Sequence, residues 1–303
     1  MRNLLRVSFR RWLHSRFVWG CSLGILCVSI INCVTAYHEK YVGFPEFNSF
    51  YYPVLVIAAL LFTGAAILLN LNESDPYRNA VIAGYSKSQV FLSEVIPAVL
   101  FGLCAALCML LPMLRGIHIL KPLPGLYLLF AALSTCIMFC GISALTVTIA
   151  MNCKIKAVGI IAAALFILAG FIFANPLCNA LMKQKSFPKY DVTLSEDGKP
   201  EYVYVGEDAN PEYLPEPDRT RVTILSMILP QTAIPLVNQY LETSSIPHDA
   251  SAYYYEMTFR QYNTDWIAKQ SESMLRILPL CELGMLIVFA GCGVYMFRKT
   301  DMK

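Results

Sequence analysis

Six long apolar stretches, with a polar insert of about ninety residues between the fifth and the sixth, decide which solvent organises this chain. They run 17–37, 50–71, 90–114, 124–150, 157–178 and 275–297. Each supplies the roughly 20 residues that a helix needs to cross about 30 Å of hydrocarbon. A helix is the expected form, because it satisfies its own backbone where no water can. Hydrophobic residues make up 56% of the chain and charged ones 15%, so a soluble fold would lack the polar surface to cover six such helices. The expectation is an all-α polytopic membrane protein with six transmembrane helices, and a soluble enzyme is excluded.

Lysine and arginine in the short connections set the orientation, because cationic residues beside a span stay cytoplasmic. Arg2, Arg6, Arg10, Arg11 and Arg16 precede the first span, and Arg78 and Lys87 separate the second from the third. Lys154 and Lys156 separate the fourth from the fifth, and Arg298, Lys299 and Lys303 end the chain. The opposite short loops hold only Lys40, Arg115 and Lys121. Both termini are therefore expected in the cytoplasm and the insert outside the cell. The first span is too long for a cleavable signal and lacks a small-residue cleavage site.

The layout reads as a cytoplasmic amphipathic elbow helix at 1–16, five transmembrane helices within 17–178, an extracellular insert at 179–274, a sixth transmembrane helix at 275–297 and a cytoplasmic tail at 298–303. In the elbow, Leu5, Phe9, Trp12 and Leu13 share one helical face while Arg2, Arg6 and Arg10 share another. A basic amphipathic helix of this kind lies in the interface and meets anionic lipid. A plain topogenic charge cluster is the simpler reading and is compatible with it. Beyond this elbow nothing suggests nucleic-acid binding.

Eleven cysteines might be taken for a disulfide scaffold, yet the insert 179–274 contains none. Cys104 with Cys108, and Cys136 with Cys140, are spaced four apart beside Met109, Met113 and Met138, a soft-sulfur pattern that suits copper(I). Packing is the commoner use of such thiols in spans, and no metal is assigned.

The connection after the second span carries the clearest punctuation. Asp75 followed by Pro76 is an N-cap with proline at the first helical position, and Gly84 supplies the left-handed stop. A helix of about eight residues results, roughly 12 Å long. Ser86 and Gln89 then have capping-box spacing, which starts the helix leading into the third span. A plain connector needs no capped helix of its own. The segment 75–84 therefore has something to touch, with Tyr77, Val81 and Ile82 suited to a partner's groove and Arg78 and Lys87 to its acidic rim.

The run Arg78-Asn79-Ala80-Val81-Ile82-Ala83-Gly84-Tyr85-Ser86-Lys87 and its continuation to Ser93 closely resembles the corresponding link of type-2 ABC exporter permeases from Gram-positive bacteria. The resemblance covers the whole chain: basic elbow, six spans, a large loop before the last span with Leu229-Pro230-Gln231 inside it, and a Phe-Arg-Lys-x-Asp-x-Lys tail. It departs where Lys87 replaces the common arginine and in the length of the insert. It implies a permease whose helix 75–84 couples, through Asp75, Pro76, Tyr77, Arg78, Asn79, Val81, Ile82, Gly84, Tyr85, Ser86 and Lys87, to a separate cytosolic ABC ATPase. Two permeases, identical or paralogous, would pair in the bacterial cell membrane, with ATP and magnesium held by the ATPase subunits. Independently, the chain contains no G-x-x-x-x-G-K-[ST] phosphate cradle and no paired carboxylates, histidine cluster or nucleophile motif, so it is expected to be a transport subunit with no cofactor of its own.

Glu282 stands alone as an ionisable residue well inside a span, and such residues are functional candidates by default. It would meet a cationic substrate group, or else remain a hydrated outer-leaflet carboxylate. Glu94 is nearer a span end, where a structural capping role is expected. The insert holds fourteen acidic against eight basic residues, a net charge of minus six. An acidic external cap attracts cations. Export of cationic antimicrobial peptides or other amphipathic compounds, as in antibiotic resistance or immunity, is the reading this suggests; a merely solvated acidic face is the simpler one. In the insert, alternation before Asp197-Gly198 reads as a hairpin, 221–229 as an amphipathic helix ended by Pro230, and Tyr255, Phe259, Tyr262 and Trp266 as an aromatic stripe. A non-transporting membrane sensor or scaffold with an external ligand-binding domain would use the same spans and insert.

Overall fold

The helices follow the apolar runs and overshoot them through polar residues that are themselves compatible with a helix. The computed structural model describes residues 1–42, 47–71, 75–120, 125–153, 155–194, 200–243 and 264–299. In chain order the helices are α1 (Arg2–His14), α2 (Arg16–Val42), α3 (Phe47–Asn70), α4 (Asp75–Ile82), α5 (Lys87–Leu120), α6 (Gly125–Asn152) and α7 (Lys156–Leu181). A hairpin of β1 (Ser186–Leu194) and β2 (Pro200–Ala209) follows, then α8 (Asp218–Ile228), a 3-10 turn (Pro230–Thr232), α9 (Ala233–Thr243) and α10 (Thr264–Lys299). Six of these, α2, α3, α5, α6, α7 and α10, are long and apolar enough to cross a membrane. Their outward side chains agree: Leu23, Ile31, Leu111, Leu165, Ile172, Phe173 and Ile287 are all exposed, a surface suited to lipid and costly in water. The chain is a multi-pass membrane protein.

Successive spans run in opposite directions, and this brings both termini to one end of the bundle. There the rings of Phe91 at the start of α5 and Phe297 at the end of α10 lie 5.9 Å apart. Lys87 donates to the carbonyl of Arg298 at 3.2 Å. The insert lies at the other end. Between them α6 and α10 make the tightest seam. Gly293 permits it, since a Cβ there would run into the Phe91 ring and the Thr148 hydroxyl. Thr148 donates across the seam to the carbonyl of Phe289 at 3.2 Å. Without a hydrophobic drive between helices in lipid, such close approach and hydrogen bonding hold spans together.

The insert differs from a domain standing clear of the spans. Its hairpin pairs β1 and β2 antiparallel from Ser186 opposite Ala209 to Leu194 opposite Pro200, with a bulge beside Gly206, whose φ is 149°. The expected turn at Asp197-Gly198 lies outside the described residues. Beyond α8 the chain bends through 103° at Pro230 and α9 enters the bundle. Ala233, Ile234, Leu236 and Val237 are fully buried among Tyr52, Val56, Leu181 and Leu275 of α3, α7 and α10. Gln231 leads this entry, donating to the carbonyl of Phe166 at 3.1 Å and packing on the bare backbone of Gly170. The run 231–237 is buried throughout, which makes the start of α9 part of the core. The last helix also begins at Thr264, well before the expected 275, since polar residues such as Lys269 and Glu272 end a hydropathy window without ending a helix. Of the aromatic stripe, Tyr255, Phe259 and Tyr262 lie outside the described residues.

Candidate functional site

The short helix α4 is isolated by its own backbone chemistry. At its C-terminal end the amide of Gly84 bonds to the carbonyl of Val81 at 3.0 Å and that of Tyr85 to the carbonyl of Ala80 at 3.2 Å. This is the pair of bonds that closes a helix over a left-handed residue, and Gly84 has φ 92°. Two residues on, the capping box is present in both directions: the Ser86 amide donates to Gln89 Oε1 at 3.1 Å and the Gln89 amide to Ser86 Oγ at 3.3 Å. The stop at Gly84 and the new start at Ser86 separate α4 from α5.

Its faces divide sharply. Tyr77 is buried, and Ala80, Val81 and Tyr85 pack against the same cluster as Leu71, Val90 and Phe91. Arg78 and Asn79 are exposed, and Ile82 is 74% exposed. Of the three apolar residues expected to face a partner, the structure thus turns Tyr77 and Val81 inward and leaves Ile82 outside, with Arg78 beside it. Lys87 reaches the end of α10 instead of open solvent. The helix begins at Asp75, one residue before the expected first helical position at Pro76.

Beneath α4 lies a junction the sequence does not announce. Glu94, 3% exposed, accepts a hydrogen bond from Ser8 Oγ at 2.7 Å, forms an ion pair with Arg11 and lies 3.5 Å from Trp12 Nε1. The guanidinium of Arg11 also sits over the Tyr77 ring, 5.6 Å from its centroid. One arginine on α1 therefore ties α5 to α4. The expected capping role for Glu94 is replaced by an anchoring one, because a carboxylate buried this deeply needs a cation and donors to offset its desolvation. The one local hint is that Arg11 lies off the Arg2, Arg6, Arg10 stripe and adjoins Trp12, but its partner is 83 positions away. On α1 the docked residues are Ser8 and Trp12, whereas Leu5 and Phe9 are half-buried and Leu13, Arg2, Arg6 and Arg10 are exposed.

The second candidate residue sits in the half of the bundle nearer the insert. Glu282 of α10 is 2% exposed, and neither carboxyl oxygen meets a hydrogen-bond partner among the described residues. Tyr52 of α3 and Cys140 of α6 lie within electrostatic range of it. The Tyr52 hydroxyl is 3.0 Å from that of Thr135, also on α6. Because α10 starts early, Glu282 lies roughly 20 Å along its apolar segment. The cysteines are all free, and no three His, Cys, Asp or Glu come together as a metal site would require among the described residues.

No protein-family model, curated protein or solved structure matches this chain.

Proposed function

We propose that the chain is the membrane-spanning permease subunit of an ABC exporter, driven by a separate cytosolic ATPase and working as a pair of permeases in the bacterial cell membrane. In this reading the end that carries both termini is cytoplasmic, the insert is extracellular, and α1 lies along the inner leaflet. The observation that supports it best is α4 itself: a rod closed off from α5 by the left-handed Gly84, with Arg78, Asn79 and Ile82 outward and Tyr77 inward under Arg11. A partner pressing on the outer face would load Tyr77, then Arg11, then Glu94, and so move the start of α5 relative to α1. Closure of an ATPase pair around nucleotide supplies such a push, and the tilt of α3 and α5 would alternate access to a cavity between the permeases. The acidic insert favours cargo that is cationic and amphipathic, antimicrobial peptides among them.

The test is purification of the complex through a tag on this chain. An ATPase subunit is expected to come with it, and Arg78→Ala with Ile82→Ala should abolish cargo-stimulated ATP hydrolysis while the thermal melting of the permease stays unchanged. A complex without an ATPase, or full stimulation in the double variant, would refute the reading.

A further inference from the structure

Two carboxylates are buried inside the spans among the described residues, and only one has its cation. Glu94 is met by Arg11, Ser8 and Trp12, all from this chain. Glu282 is buried just as deeply with both oxygens unpartnered. An unpaired carboxyl in hydrocarbon is unfavourable enough that such residues are rare and mark binding sites or pathways. What lies around Glu282 has a definite character. Tyr52 and Thr135 bring together a pair of hydroxyl oxygens between α3 and α6; Leu278, one turn before Glu282 on α10, and Met138 and Phe139 of α6 belong to the same apolar cluster as Tyr52. Carboxylate, hydroxyl pair and apolar wall together are the surroundings an organic cation with an apolar body prefers. A proton relay would need further ionisable groups leading inward. Among the described residues the next buried carboxylate is Glu94, which Arg11 already holds.

We infer that Glu282 is the attachment point for one positive charge of an amphipathic organic cation, held between α3, α6 and α10 with Tyr52 and Thr135 as its polar neighbours. Naming that cation as cargo rests on the permease reading; the site itself does not. The net negative insert lies at the same end of the bundle and would raise the local concentration of such molecules.

The experiment uses the full-length chain in nanodiscs of zwitterionic lipid and radiolabelled tetraphenylphosphonium as the probe. Saturable binding is expected, weakened on the order of thirtyfold in Glu282→Gln, the loss anticipated when one member of a buried charge pair is removed. Tyr52→Phe should weaken it less. A second measurement needs no variant: dicyclohexylcarbodiimide adds to carboxyl groups in apolar surroundings, and tetraphenylphosphonium should slow its addition to Glu282 as read by mass spectrometry. Absence of saturable binding, undiminished binding in Glu282→Gln, or labelling of Glu282 indifferent to the cation would each overturn the inference. A chain that binds the cation through Glu282 but brings no ATPase with it would keep the site and discard the pump. A working pump whose Glu282→Gln variant binds undiminished would do the reverse.

Discussion

Arg11 is the residue on which the junction turns, because it offsets the buried charge of Glu94 and covers Tyr77 at once. Arg11→Met keeps the bulk but leaves the carboxylate with only Ser8 and Trp12. The expected loss is about 3 kcal/mol, the lower end for breaking a buried pair, since the Arg11 side chain keeps some contact with solvent. Melting in detergent should fall, and amide exchange over residues 2–14 should quicken as α1 lifts. Two glycines of α10 make a sharper comparison. A Cβ at Gly293 would collide with Phe91 and Thr148, whereas one at Gly291 would meet nothing. Gly293→Ala should therefore destabilise by about 1–3 kcal/mol. Gly291→Ala should be neutral or stabilising by up to about 1 kcal/mol, as alanine is the better helix former. Paired melting curves check both. Neither the Arg11 bridge nor the Gly293 contact is written in a local pattern: each depends on residues more than fifty positions away.

The elements whose limits are set by local chemistry were readable in advance. Gly84 had to take a left-handed conformation, and Ser86 with Gln89 had to cap each other, so α4 and the start of α5 fall where the spacing puts them. Gly84→Ala should cost about 1–2 kcal/mol of backbone strain and loosen the stop, visible as faster exchange of the α4 amides. By contrast, nothing in the composition of 230–243 distinguishes a surface loop helix from one that re-enters a bundle. What decides it is the match of Gln231 to the carbonyl of Phe166 and to the empty side of Gly170, two features of a different helix. Gly170→Leu should expel α9. Limited proteolysis is then expected to cut within 218–243, where the native chain resists.

For the molecule as a whole, six apolar runs fixed the six spans, and the alternation of their directions brought α1, α4 and the last turn of α10 together at one end. Which side of the membrane that end faces is a matter of charge in the connections, and the account stands on its facing the cytoplasm. On the proposed reading, a force applied to the outer face of α4 would pass through Tyr77 and Arg11 to the base of α5, while Glu282 lies in the opposite half of the bundle. Ile82, a largely exposed apolar residue of α4, is where the proposed ATPase subunit would touch. The decisive measurement is photo-crosslinking in living cells from a benzoylphenylalanine placed at position 82, with the adduct identified by mass spectrometry. The account predicts a covalent adduct with a nucleotide-binding ATPase subunit; adducts with extracellular proteins, or none with any ATPase, would contradict it.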